Sequence, residues 1–173
     1  MASIPPLAAH PEQAKVEVAF FPVFLSVVLV VRNQSASMEK MLSDVGGRIG
    51  SFVSDYEIVV VDNASEDGSV AVLKKLTAEN GLANLQVYAL TKAVDNDTAS
   101  WVGLENALGD FVAVVDALVD DIGFLPDMLE KAVRGADVVF ASNQQEIPQS
   151  LAYRLASAVF ESLYVRFSGV HLT

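Results

Sequence analysis

Two short acidic segments carry residue types able to do chemistry. The first is Asp62-Asn63-Ala64-Ser65-Glu66-Asp67-Gly68-Ser69. An aspartate leaving a strand end can accept a nucleobase N–H or a ribose hydroxyl, and Asn63 beside it can both donate and accept. A polar turn with Ser65 capping the next helix accounts for the same residues about equally well. The second segment is Asp116-Ala117-Leu118-Val119-Asp120-Asp121. A carboxylate at a strand end, with others close behind, can hold a hard divalent cation such as Mg²⁺ or Mn²⁺ through oxygens. Such a cation would neutralise a diphosphate leaving group. In a chain this acidic, a solvated loop is the simpler alternative.

These segments need strands to present them. Phe24–Val31 (FLSVVLVV) is an apolar run rich in β-branched residues, the pattern of a strand covered on both faces. Glu57–Val61 (EIVVV) and Phe111–Val115 (FVAVV) repeat it, Leu85–Leu90 reads as a strand between them, and Asp137–Ala141 as a fifth. Helical spacing places Met38, Met41, Leu42, Val45 and Ile49 on one face of a segment from Ser37 to about Phe52, although Gly46, Gly47 and Gly50 weaken its far end. Further helices are expected from a Ser65 cap to about Glu79 with Gly81 as the stop, over Thr98–Leu108, over Phe124–Val133, and over Gln149–Phe167. Strands alternating with helices predict an α/β fold with a mostly parallel sheet between helical layers. Ligands bind such sheets outside the carboxyl ends of the strands, where the strand order reverses. The informative residues therefore follow the strands, at 32–34, 62–65, 91–97 and 116–121.

At 173 residues the chain suits one domain, expected over 23–173 after an irregular arm over 1–22 that holds Pro5, Pro6, Pro11 and Pro22. It is 52% hydrophobic, and its formal net charge of −11, with scattered basic residues, argues against a nucleic-acid partner. The absence of cysteine excludes disulfides and thiolate metal sites. The uncharged run Val18–Val31 is short for a spanning helix and contains Pro22, and no basic region precedes an apolar stretch at the start. The expected location is the cytoplasm, with peripheral attachment at the inner face of the membrane as the variant of it. Trp101 reads as a core or interface anchor, Lys92 as a solvated lysine within reach of a phosphate, and His10 and His171 lack a paired carboxylate. The last segment places Leu151, Leu155, Val159, Leu163 and Phe167 near one face. That face suits packing on the sheet or on a second copy of the chain, and with few basic residues less well a membrane interface.

The blocks Ser26–Gln34 (SVVLVVRNQ), Tyr56–Ser69 (YEIVVVDNASEDGS), Gly103–Asp116 (GLENALGDFVAVVD) and Gly135–Ala141 (GADVVFA) resemble, in order and spacing, the inverting family 2 glycosyltransferases of the GT-A fold. Tyr153–Val170 is similar to the polyprenol-phosphate sugar transferases, such as dolichol-phosphate-mannose synthase. The resemblance implies a three-layer, Rossmann-like GT-A fold and a nucleoside diphosphate-sugar donor. It also implies a lipid-phosphate or saccharide acceptor. Carried over by position, Arg32 and Asn33 fall in the first nucleotide-contacting loop, and Asp62 and Asn63 fall where the family reads base and ribose. Asp116 is the first residue of the Asp-x-Asp metal motif, with Asp120 as its helper for Mg²⁺ or Mn²⁺.

The chain departs from the family at several of these positions. Val30 replaces a proline, Arg32 an aromatic, Gln34 a glutamate, and Ala93-Val94-Asp95 an Asn-x-Gly segment. Leu118 replaces the second aspartate of the metal motif, and a leucine cannot ligate a metal. The family's acceptor-side base falls in a segment beyond Thr173, so no catalytic base is identified. Two functions stay open. One is sugar transfer with inversion; the other is a catalytically degenerate binding or assembly module that dimerises through its last helix.

Overall fold

The computed structural model describes residues 19–116 and 120–141. The chain divides into two compact units, 1–141 and 142–173, and all described residues belong to the first. Leu118 and the expected helix Gln149–Phe167 lie outside the described residues.

A parallel sheet of four strands forms the centre: β1 (Phe21–Val31), β2 (Val53–Asp62), β3 (Leu85–Ala89) and β4 (Phe111–Val115), in the order β3-β2-β1-β4. The strands β1 and β2 run in register from Phe24 opposite Asp55 to Val31 opposite Asp62, so their carboxyl ends finish side by side. On the other flank of β1, Leu29 stands opposite Val115, which brings Asp116 alongside the same edge. The order turns back at β1, between β2 and β4, and ligands are expected there.

Alternation along the strands builds the layers. Val27, Leu29 and Val31 of β1 with Ile58 and Val60 of β2 face one way, into a core completed by Met38, Leu42, Val45 and Ile49 of α1 (Met38–Ile49), Leu73 and Leu76 of α2 (Ser69–Leu76), and Leu125 and Leu129 of α4 (Leu125–Val133). Val28, Val59 and Val61 face the other way, under α3 (Asn96–Asn106). Here Gly103 is needed for the approach, because a β-carbon on it would fall 2.3 Å from Val28 Cγ1. Helices thus cover both faces of a parallel sheet, consistent with the Rossmann-like GT-A fold that the resemblance implies.

Several boundaries differ from the sequence expectation. Strand β1 begins at Phe21, not Phe24, because the Phe21 N–H pairs with the Phe52 carbonyl at 2.7 Å. Pro22 sits in the irregular step between Phe21 and Phe24, where its missing N–H interrupts no regular ladder. Helix α1 runs through Gly46 and Gly47 and ends at Ile49 with Gly50 as its C-cap: β-carbons at Gly46 and Gly50 would stand 3.1 Å from the Tyr56 hydroxyl and 3.2 Å from its ring, so the small residues make room for a tyrosine from β2. Helix α2 starts at Ser69 with Gly68 as its N-cap, not at a Ser65 cap, and it ends at Leu76. Leu82 N–H then bonds back to the Leu76 carbonyl at 2.8 Å.

The expected strand at Asp137–Ala141 does not form. It follows Gly135, whose φ of 106° turns the chain, and it pairs with no described strand, leaving Val138 and Phe140 exposed. An apolar β-branched run permits a strand, but only a neighbouring ladder makes one.

Candidate functional site at the strand ends

The loops after β1 and β2 are tied to each other by their own polar groups. Asn33 adopts φ 54° and Ala64 φ 53°, left-handed conformations on the two facing loops. Asn33 donates its N–H to Ser65 Oγ at 2.9 Å and accepts the Glu66 N–H on Oδ1 at 2.8 Å. Gln34 donates its N–H to Ser69 Oγ at 3.0 Å. Ser35 and Ser69 both donate N–H groups to the Asp67 carboxylate. The Ser69 hydroxyl bond, with the backbone and Ser35 bonds behind it, holds Asp67 far below the usual carboxylate range. These bonds explain why Ser65 is not the helix cap: its hydroxyl is engaged in joining the first loop to the second.

Asp62 closes β2 and is only 1% exposed. Its Oδ2 accepts the Ser65 N–H at 3.1 Å, while its Oδ1 is buried with no hydrogen-bond partner. The side-chain oxygen of Gln34, on the adjoining loop, is likewise buried and unpartnered. Buried acceptors without donors are rare in folded proteins, and a ligand that offers N–H or O–H groups is one way to satisfy them.

Asn63 is buried too, but its amide is engaged. Its Nδ2 donates to the Val94 carbonyl at 2.8 Å and its Oδ1 accepts the Val94 N–H at 2.9 Å. It therefore staples the loop after β3 to the end of β2. The altered segment Ala93-Val94-Asp95 ends in a helix cap: Asp95 accepts the Thr98 N–H at 2.8 Å and its hydroxyl at 2.7 Å. The Thr98 backbone bond, then the hydroxyl bond, lower the Asp95 pKa. Arg32 is exposed at the end of β1, on the loop that carries Asn33.

At the end of β4, Asp120 folds back onto Asp116. Its N–H reaches the Asp116 carbonyl at 2.7 Å, and its Oδ2 accepts the Asp116 N–H at 2.9 Å. Asp121 is engaged elsewhere, capping the turn at Gly123 and pairing with Arg48 at 3.3 Å. Among the described residues no group of three or more potential metal-binding side chains comes together. Beside Asp116 lies an open cleft of about 360 Å³. One wall is the α3 face with Asn96, Asp97, Ser100, Trp101 and Leu104; the other is Val114 of β4 with Asp116 and Asp120. Trp101 is not a core residue: it is 58% exposed, because α3 packs mainly over β1 and β2 and meets β4 only at its margin.

Residues 26–172 match the family described as glycosyl transferase family 2. The chain belongs to that family. Among its relatives, the undecaprenyl-phosphate 4-deoxy-4-formamido-L-arabinose transferase of Aeromonas hydrophila is 30% identical over 152 residues, covering 86% of this chain and 45% of the relative. The protein of the same name from Pseudomonas fluorescens is 29% identical over 150 residues, covering 86% of the chain and 43% of the relative. The one from Pseudomonas paraeruginosa is 33% identical over 121 residues. The chain spans less than half the length of the first two relatives.

In this family 2 chain, the sequence residues fall into two groups. Arg32, Asn33, Asp62 and Asn63 gather at the joined ends of β1 and β2, and Asp116 and Asp120 gather at the end of β4. Sequence reasoning missed the buried Glu57, which lies away from the carboxyl ends. Glu57 Oε1 accepts the Ser26 hydroxyl and the Leu108 N–H, each at 2.6 Å, and Oε2 accepts Gln86 Nε2 at 2.6 Å. The Gly109 N–H completes the set on Ser26 Oγ at 2.8 Å. A lone glutamate opening an otherwise apolar strand was the available signal. No helix among the described residues is long and apolar enough to cross a membrane.

Proposed function

We propose that this chain binds a nucleoside diphosphate-sugar at the ends of β1 and β2 and transfers the sugar, with inversion, to a lipid-phosphate acceptor. The observation that carries the reading is Asp62: a carboxylate almost fully buried at the end of β2, with one oxygen unpartnered, next to β1, the strand at which the order turns. That oxygen is suited to accept a nucleobase N–H or a ribose hydroxyl. Asn33 and the Asn63 amide hold the surrounding loops, and Arg32 supplies positive charge beside them. Relatives named as undecaprenyl-phosphate sugar transferases favour a polyprenol phosphate over a saccharide as the acceptor.

Asp116 and Asp120 suit Mg²⁺ or Mn²⁺ only as a partial set of hard oxygens, with the diphosphate and water supplying the remainder. When bound, the cation would supply charge neutralisation at the leaving diphosphate. The chain's own part is to hold two carboxylates at the end of β4, next to β1.

Leu118 in the metal motif favours a second reading, a binding or assembly module that retains the nucleotide loops without turnover. Calorimetric titration with UDP, GDP and their sugar conjugates, with and without Mn²⁺, separates the two. Metal-dependent binding that is lost in Asp116→Ala supports the transferase, and Leu118→Asp should then tighten the metal dependence. Nucleotide binding indifferent to metal and to Asp116→Ala supports the module. No binding of any nucleotide overturns the transferase and leaves the assembly module.

A further inference from the structure

The carboxyl edge of the sheet wants a hydrogen-bond donor in one place and turns away an anion in another. Asp62 Oδ1, in a residue 1% exposed, has no partner and is matched by a ligand N–H or O–H. Next to it, the Asn63 amide bonds both backbone groups of Val94, and α3 begins two residues further on, at Asn96. A helix that starts at this edge of a parallel sheet ordinarily offers its first N–H groups and the positive end of its dipole to a phosphate. In this chain the place is filled from within. Asp95 accepts the Thr98 N–H on Oδ1 at 2.8 Å and the Thr98 hydroxyl on Oδ2 at 2.7 Å, and Asp97 adds a carboxylate in the first turn. Asp95 stands where the family has the glycine of its Asn-x-Gly segment, so a fixed negative charge replaces bare backbone. The start of α2 is treated alike, since the Ser69 N–H donates to Asp67. At α1 the Ser37 and Met38 N–H groups return to the Gln34 carbonyl, and Glu39 lies in the first turn.

We propose that Asp95 is a specificity-determining residue: it occupies the anion position at the start of α3, so the strand-end site grips the nucleoside part of its ligand and leaves the phosphates to a cation. Two independent features agree on that class of ligand. The unpartnered oxygen of Asp62 is satisfied by a neutral group that donates, such as a base N–H or a ribose hydroxyl, and gains nothing from a phosphate. The Asp95 carboxylate takes the Thr98 N–H that a phosphate would otherwise share, and repels the phosphate charge besides. Arg32 and Lys92 stand at the same edge, but both are exposed, where solvent and salt screen their attraction. Asp95 touches neither a base nor the reacting atoms; its effect is on the selectivity between nucleoside and nucleotide. The identity of the ligand rests on the nucleotide reading above, whereas the closure of the α3 start does not.

The test compares the full chain with Asp95→Ser, which keeps a capping oxygen without the charge, and with Asp95→Ser/Asp97→Asn. Each is titrated by calorimetry in EDTA with uridine, UMP and UDP, and with guanosine, GMP and GDP. Pyrophosphate alone is added in a separate series, with the amide resonances of residues 96–98 followed by NMR. In the parent, the nucleoside that binds and its diphosphate should agree within about twofold. Asp95→Ser should raise the affinity for the diphosphate by roughly 3–10-fold and leave the nucleoside unchanged, and the double variant should go further. Pyrophosphate should move the amides of residues 96–98 in the variants and not in the parent. If it does so while no nucleoside binds any chain, the closed helix start stands and the nucleotide reading fails. If nucleosides and nucleotides bind with the same ratio in parent and variants, the nucleotide reading stands and the role of Asp95 is overturned. A metal-free parent that binds the diphosphate about tenfold or more tighter than the nucleoside also overturns it. So does silence of every chain toward nucleotides and pyrophosphate alike.

Discussion

Replacing Glu57 with alanine tests whether the polar knot beneath the sheet sets the position of β4. Glu57 is 4% exposed and accepts hydrogen bonds from Ser26, Leu108 and Gln86. Each buried donor left without an acceptor costs about 1–3 kcal/mol. The half-buried Gln86 can turn to water and the Ser26 hydroxyl can rotate, so their losses are partial. The Leu108 backbone N–H cannot rotate, but Leu108 is exposed and water can replace part of its bond. Removing a buried carboxylate also relieves its desolvation, which offsets part of the loss. The net expectation is about 2–4 kcal/mol, a large share of the 5–15 kcal/mol that holds a typical domain together. With a urea m-value of about 2 kcal/mol/M, the midpoint should fall by about 1–2 M. Glu57→Gln keeps one acceptor oxygen and should fall between alanine and the parent. Ser26→Ala in the alanine background should cost less than in the parent, because the two groups share one bond. Urea unfolding followed by circular dichroism measures all of these. A midpoint shift below about 0.3 M for Glu57→Ala would refute the reasoning, and so would strict additivity with Ser26→Ala.

Other expectations concern packing, strain, the loop staple and pH. Gly103→Ala forces a methyl group against Val28 and should destabilise by about 1–2 kcal/mol in urea melts, the overpacking outweighing alanine's better helix propensity. Ala64→Gly relieves a left-handed alanine, and thermal melts should show it unchanged or up to about 1 kcal/mol more stable. Asn63→Ala removes both bonds to Val94 and should destabilise by about 1–3 kcal/mol, with faster hydrogen exchange at Val94 and its neighbours. Asp67 and Asp95 have pKa values lowered in the folded chain, so the unfolded chain binds their protons first. Their contribution is fully present above about pH 4, the ordinary aspartate value, and is lost as pH falls through their folded values. Asp67→Asn and Asp95→Asn should each flatten the acid limb of a stability–pH curve, and an unchanged limb in both would count against these bonds.

The strands were legible because FLSVVLVV, EIVVV and FVAVV are apolar and β-branched almost throughout, although β4 turned out to be covered on one face, with Val112 and Val114 exposed on the other. The same pattern misled at Asp137–Ala141, where composition permits a strand but no described strand pairs with it. The start of α2 was misplaced because Ser65 has a choice between capping a helix and receiving the Asn33 N–H, and the left-handed turn at Ala64 decides for the latter. The candidate positions after each strand could be named from the strand-end rule, and the roles expected of them only from the resemblance. Their division of labour could not: nothing in the order Asp62-Asn63 says that the asparagine is engaged by Val94 while the aspartate keeps an unpartnered oxygen. The exposure of Trp101 was hidden for a similar reason, since it depends on how far α3 reaches across the sheet.

The most direct test of the account is the titration of Asp62→Asn and Asp62→Ala with the nucleotide that the parent binds. Asparagine keeps the shape and an oxygen but removes the charge, and alanine removes the acceptor. The account predicts a loss of about tenfold or more for each, about 1.4 kcal/mol, with the loss greater for alanine and the folded structure kept in Asp62→Asn. Nucleotide affinity equal to the parent's in both variants, with the chain folded, would contradict it.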